Sequence, residues 1–230
     1  MKKKIYLVLC VTLTMMILCA CNKNKSKEDV TQESESIQEE YEVTTVDVDA
    51  NQYMKGSVDG SRYTSEWLEL EFDSPQNAKL RVMTSDELNG TKDMLADNYS
   101  KEMLDKAIGS VDCEMNCESE DGLAKVSVIV EHLGNKVSAN DYLTTLKANL
   151  TAVSDADIEY KFDEIIDTVS FAGDDYSRIS TTVTSGKKSL IQEYYVKSKD
   201  SDIVSIIFTY ADNDDGKKSF KQLYDSFIKQ

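Results

Sequence analysis

Apolar residues fall into three regimes along this chain. Residues 5–18 form a nearly unbroken apolar run behind Lys2-Lys3-Lys4, diluted only by Thr12 and Thr14. Residues 22–52 are dominated by Lys, Glu, Ser, Thr, Asp and Gln and show no apolar period. From Tyr53 onward apolar positions recur at spacings that predict strands and helices.

The third regime begins with a turn at Val58-Asp59-Gly60-Ser61, where Asp-Gly is a tight hairpin signal. Trp67-Leu68-Glu69-Leu70-Glu71-Phe72 then alternates with period two, which puts Leu68, Leu70 and Phe72 on one face of a strand that ends before Pro75. Thr84 and Glu87 form a capping box ahead of Leu88, Leu95, Tyr99 and Met103 at helical spacing, interrupted by Asn89-Gly90. A turn at Asp121-Gly122 sets Cys117 opposite Val126, Met115 opposite Val128 and Cys113 opposite Val130, all on one face. The same register sets Glu118 against Lys125 and Asn116 against Ser127 on the other face. A slip of one residue would invert both faces, so the pattern specifies the pairing.

Ser138 caps a second helix with a stripe of Tyr142, Leu143, Leu146, Leu150 and Val153. Four strand-like runs follow, at 158–171, 176–184, 188–197 and 202–210, joined by short polar turns as an antiparallel meander. In the last run Val204, Ile206, Phe208 and Tyr210 face one way and Ile203 and Ile207 the other, the pattern of a central strand covered on both faces. A closing helix from Asp214 carries Phe220, Leu223, Tyr224, Phe227 and Ile228 along one stripe. The predicted class is α+β: an antiparallel β-sheet flanked by helices, occupying residues 53–230.

The first two regimes supply an address. A positive start followed by an apolar run too short for a comfortable span, which needs about 20 residues, reads as a cleaved signal peptide of residues 1–20. Leu18-Cys19-Ala20-Cys21 resembles the lipobox of bacterial lipoproteins, which implies diacylglyceryl transfer to Cys21 and cleavage before it. Several acyl chains on one cysteine, at ~0.8 kcal/mol per buried CH₂, hold a protein at the membrane without spanning it. Residues 21–52 are then a lipidated, acidic, disordered linker, with an r.m.s. reach of ~30 Å for a flexible chain of this length. Its lysines, Lys23, Lys25 and Lys27, stand nearest the headgroups. The expected place is the extracytoplasmic face of the cell membrane.

Composition narrows the remaining chemistry. With 42 acidic and 26 basic residues the formal charge is −16, and loss of Lys2, Lys3 and Lys4 makes the mature chain more negative, which argues against nucleic acid as a partner. Cys113 and Cys117 are the thiols that remain, and a four-residue separation along a strand, ~13 Å, exceeds the ~7 Å a disulfide spans. They read as small buried hydrophobes. His132 is the only histidine and no nucleophile motif accompanies it. Ser185-Gly-Lys-Lys188 and Ser226-Phe-Ile-Lys229 fit S-x-x-K, but the companion S-D-N and K-T-G motifs are absent. Asp212-Asn-Asp-Asp-Gly216 fails the calcium-loop pattern, because Ala211 occupies the first ligand position, and suits a helix start. No catalytic residue, metal site or cofactor is predicted.

Tyr63-Thr-Ser-Glu-Trp67 leading to Phe72-Asp-Ser-Pro75, then Phe171-Ala-Gly173 with Tyr176, Gln192-Glu-Tyr194-Tyr195 and Phe208-Thr-Tyr210, resemble the PsbP-like family in order and hydrophobic pattern. The family often has glycine where Glu69 stands, and Gly-Trp where this chain has Gln76-Asn77-Ala78. The resemblance implies an α/β/α sandwich and an adaptor or assembly role without a shared catalytic set. The leading expectation is a membrane-anchored, non-enzymatic binding or assembly module for an unidentified envelope protein or ligand. The alternatives are a small-ligand or divalent-cation receptor, and an envelope enzyme built from scattered acids.

Overall fold

The computed structural model describes residues 53–82, 110–152 and 158–230. The lipobox, the linker and the capping-box helix predicted from Thr84 lie outside the described residues.

In chain order the strands β1 (Ser57–Asp59), β2 (Arg62–Ser65), β3 (Leu70–Asp73), β4 (Lys79–Arg81), β5 (Val111–Glu118) and β6 (Ala124–His132) lead to helix α1 (Ala139–Ala152). There follow β7 (Glu159–Phe162), β8 (Asp167–Phe171), β9 (Asp174–Ser185), β10 (Lys188–Lys199), β11 (Asp202–Ala211), helix α2 (Asp214–Tyr224) and β12 (Phe227–Lys229). They make two antiparallel sheets. The larger runs β4-β5-β6-β11-β10-β9-β7, with β8 also on β9, and the smaller runs β1-β2-β3-β12.

The predicted α/β/α sandwich is not what forms. One face of the large sheet carries α1, which buries Tyr142, Leu143, Leu146 and Leu150 against Ile179, Val183, Tyr194 and Ile207. The other face is covered chiefly by the small sheet, with α2 beside it, enclosing Tyr63, Phe72, Met115, Val128, Phe171 and Phe208. The expectation failed at short elements. Phe227 and Ile228 continue the helical stripe in sequence, yet α2 is capped at Asp225, and Phe227 pairs with Phe72 in β12. The two rings lie 4.6 Å apart, and Phe171 meets Phe227 at 5.2 Å. A side chain of this size gains ~1.5–3 kcal/mol from full burial, enough to favour the strand.

Other expectations hold in part. β11 lies inside the large sheet between β6 and β10, as its two-faced apolar pattern predicts. The run 158–171 is two strands, because Asp163-Glu164 interrupts it; Lys147 of α1 donates to both of their carbonyl oxygens. Leu68, Leu70 and Phe72 are all buried as expected, but β3 starts only at Leu70. Glu69 has φ +54°, in the left-handed region that favours glycine. Ser138 caps α1: its hydroxyl accepts from the Asp141 amide at 3.1 Å.

Candidate functional site

The β5–β6 hairpin adopts the predicted register at its tip, with Cys117 opposite Val126, Met115 opposite Val128, and Glu118 opposite Lys125. Between Met115 and Cys113 the register shifts, and Cys113 faces Ile129 instead of Val130. The extra residue is Glu114. A bulge of this kind turns the strand and re-aims its side chains, so Cys113 crosses into the α1-side core while Met115 and Cys117 stay between the sheets. The prediction that all six hairpin residues share one face is therefore corrected at Cys113. Both thiols are free and buried, and burial pushes Cys113 up to about 12 and Cys117 up to about 11.

The bulge also sets Glu114 wholly inside the protein, at 0% exposure. Its Oε2 accepts from the Tyr63 hydroxyl and, at 3.1 Å, from the Gly56 amide. Oε1 is buried with no hydrogen-bond partner. Burial raises the Glu114 pKa, against opposing contributions from Tyr63, Tyr53, Gly56 and Lys55.

Around Glu114 stand residues that carry most of the unused polar capacity of this end of the molecule. Tyr53 sets its ring edgewise on Trp67, centroids 5.0 Å apart, and on His132 at 4.7 Å. Its hydroxyl makes no well-formed hydrogen bond, and its pKa is raised by burial and by Glu114 and Asp112. The Trp67 indole N–H is likewise buried without a partner. The Lys199 ammonium lies 4.8 Å from the centre of the Trp67 ring and donates to the Trp67 carbonyl oxygen. His132 bridges Asp112, 3.2 Å from Nε2, and Asp202, 3.1 Å from Nδ1. Lys55 meets Asp112 at 2.8 Å. Burial works to raise the Asp112 pKa, but Lys55 and His132 outweigh it and hold the carboxyl below its ordinary range.

A second buried acid lies on β10. Glu193 accepts from Arg178 Nε at 2.9 Å and the Tyr195 hydroxyl at 2.9 Å through Oε2, and from the Tyr210 hydroxyl at 2.7 Å through Oε1. Burial opposes the Arg178 cation, and the hydrogen bond and charge of Glu193 more than compensate, raising its pKa. Burial and Glu193 raise both tyrosines as well.

The residues nominated from sequence are dispersed. Cys21 lies outside the described residues. Ser185 and Lys188 face each other across the β9–β10 turn. The Ser226 hydroxyl donates to the Gln222 carbonyl oxygen, while Lys229 is taken by Asp174 at 2.9 Å, which also binds Lys197 at 2.8 Å. Asn213 caps α2 by accepting from the Gly216 amide at 2.8 Å, with Asp214 and Asp215 in the first turn, as the helix-start reading requires. Tyr194 and Tyr195 point to opposite faces and both are buried. Among the described residues no group of three or more His, Cys, Asp or Glu is placed to hold a metal. A cleft of about 410 Å³ opens between the β3–β4 connection, the β5–β6 turn and the end of α2, lined by Pro75, Gln76, Glu120, Gln222 and Asp225 among others.

Sequence reasoning passed over Glu114, Glu193, Arg178 and Tyr53. For Glu193 a signal existed: it shares a face with Tyr195 in a strand whose neighbours are apolar on both sides. For Glu114 none did, since strict alternation sends it to the polar face.

No family model matches this chain, so the PsbP-like resemblance rests on the quoted residues alone. No curated protein matches it either. Among solved structures it is similar to LpqN, involved in cell envelope biogenesis of Mycobacterium tuberculosis, with a TM-score of 0.40 and 7% identity, over 69% of this chain and 82% of that one. A likeness at that level assigns neither family nor function.

Proposed function

We propose that the protein is a lipid-anchored extracytoplasmic lipoprotein whose domain acts as a non-enzymatic binding or assembly module. The carrying observation is Leu18-Cys19-Ala20-Cys21 behind a basic start and a short apolar run, followed by the polar residues 22–52 and then by a folded β domain. Among the described residues, no helix is long and apolar enough to cross a membrane. The buried acids support the non-catalytic part of the reading: Glu114, Glu131 and Glu193 are enclosed, accept hydrogen bonds from the protein's own donors, and do not line the 410 Å³ cleft. A proton-transfer group must come within hydrogen-bond reach of its substrate.

Palmitate labelling with mass measurement of the mature N-terminal peptide tests the anchor. Wild type should incorporate label and begin at an acylated Cys21, and Cys21→Ala should lose both features. A mature chain that retains residues 1–20, or label that survives Cys21→Ala, overturns the anchor. Crosslinking at the membrane tests the module: a domain that recovers no envelope partner or ligand counts against it.

A further inference from the structure

Residues 53–56 run along the surface before β1 begins, and their seat is made of protonatable side chains. No backbone–backbone hydrogen bond ties these four residues to the rest of the described domain. They are held by side chains: Gly56 donates its amide to Glu114, Lys55 reaches Asp112, and the Tyr53 ring sits against Trp67 and His132. The approach at Gly56 leaves no room for a side chain. A Cβ there would stand 2.6 Å from Glu114 Oε2, 2.6 Å from the Tyr63 ring and 2.8 Å from the Thr64 carbonyl oxygen. Met54 remains exposed, so the strap is covered on one side only.

We infer that residues 53–56 are a proton-operated latch: the strap is seated while Glu114 is protonated and lifts when that carboxyl ionises. The argument is geometric. With the strap down, both well-formed hydrogen bonds reach one oxygen, Oε2, while Oε1 is enclosed with no well-formed bond and the Tyr53 hydroxyl interacts only loosely with the carboxyl. A neutral carboxyl fits, because it needs one accepting oxygen and a place for its own O–H. An ionised one would leave a charge out of water with half its acceptor capacity unused. Lifting the strap admits water to the charge and releases that conflict.

The charged and titratable groups of this seat come from every neighbouring element: Tyr53 and Lys55 of the strap and Tyr63 of β2 beside Glu114, Asp112 of β5 holding Lys55, His132 of β6 against Tyr53, and, behind His132 and Trp67, Asp202 of β11 and Lys199 of β10. Lys55 favours the ionised form. Glu114 has a raised folded pKa, so its contribution is complete below the unfolded value and is lost as pH rises through the folded one. Asp112 has a lowered pKa, so its hold on Lys55 is present above the unfolded value and lost as pH falls through the folded one. The latch is therefore tightest between the two. If the proposed lipid tether is correct, opening adds four residues to it, roughly 13 Å of extended chain.

Hydrogen–deuterium exchange on the full chain in detergent, corrected for the intrinsic pH dependence of exchange and run from pH 5 to 9, tests the latch, with fluorescence of Trp67, the only tryptophan, as a parallel readout. In wild type, protection of the Gly56 amide should fall by up to about tenfold per pH unit between the pKa of Glu114 in the lifted, water-exposed state and its raised value in the seated state, and level off above that, while the β11 amides stay protected. Glu114→Gln cannot ionise and should hold the strap at every pH. Gly56→Ala should leave residues 53–56 unprotected at every pH with β11 protection intact. A flat wild-type profile, or a Glu114→Gln profile that falls like wild type, overturns the latch. Should Glu114→Gln lose β11 protection, the wild-type contrast between strap and β11 decides alone. Failure of the lipoprotein reading would show as missing palmitate label and would leave these exchange profiles unchanged.

Discussion

Glu114 and Glu193 are two acids on one large sheet, almost equally hidden at 0% and 5% exposure, yet they have opposite surroundings. Glu193 has a donor on each oxygen and a cation at 2.9 Å. Glu114 has two neutral donors on one oxygen and none on the other. Burial alone thus says little about what a carboxyl does; the decisive fact is what reaches its second oxygen. The Glu193 cluster crosses β9, β10 and β11 and ties the middle of the sheet together through Arg178, Tyr195 and Tyr210. The Glu114 cluster sits at a bulge beneath a strap that side-chain contacts hold, so the cost of ionisation falls on that strap.

The contrast can be broken from either side. Arg178→Met should have the largest effect, because it strands Glu193 without its cation; removing one partner of a buried pair costs ~3–5 kcal/mol, and partial exposure of Arg178 places this case near the low end. Urea denaturation at neutral pH measures it, and a loss under about 1 kcal/mol would put the two acids in one class. Tyr63→Phe should cost about 1 kcal/mol, the net worth of a hydrogen bond. It should also raise the Glu114 pKa further, since the Tyr63 bond opposes that rise, so the pH-linked loss of stability, which still begins at the unfolded value, extends to higher pH and grows larger. Glu114→Gln should be the mildest near pH 5, within about 1 kcal/mol of wild type. As pH rises the variant should gain on wild type, because only the wild-type group must give up a proton; denaturation midpoints that stay parallel from pH 5 to 9 would refute this. Finally, Cys113 and Cys117 should resist thiol reagents until the protein unfolds, and mild oxidant should form no bridge between them, because the bulge sends them to opposite faces.

What the sequence could reveal depended on length and repetition. The α1 stripe, the two-faced pattern of β11 and the hairpin register from Cys117 to Met115 each repeat one spatial rule several times, so each is visible without tertiary contacts. β12 has three residues and is indistinguishable from another turn of α2 by period alone. The bulge at Glu114 breaks alternation in space without breaking it in sequence, so its buried carboxyl was invisible. The strap was passed over for a related reason: its order comes from Gly56 fitting under Tyr63 and Glu114, a long-range match with no local signature.

β12 closes the small sheet by pairing with β3, so Phe72 waits for Phe227. For a chain made N-terminus first, this sets an order of events. The opening strands cannot complete their sheet until the far end of the domain has emerged, and contacts so distant in sequence form slowly. Late closure of this kind leaves the domain unlocked until its last strand has been made.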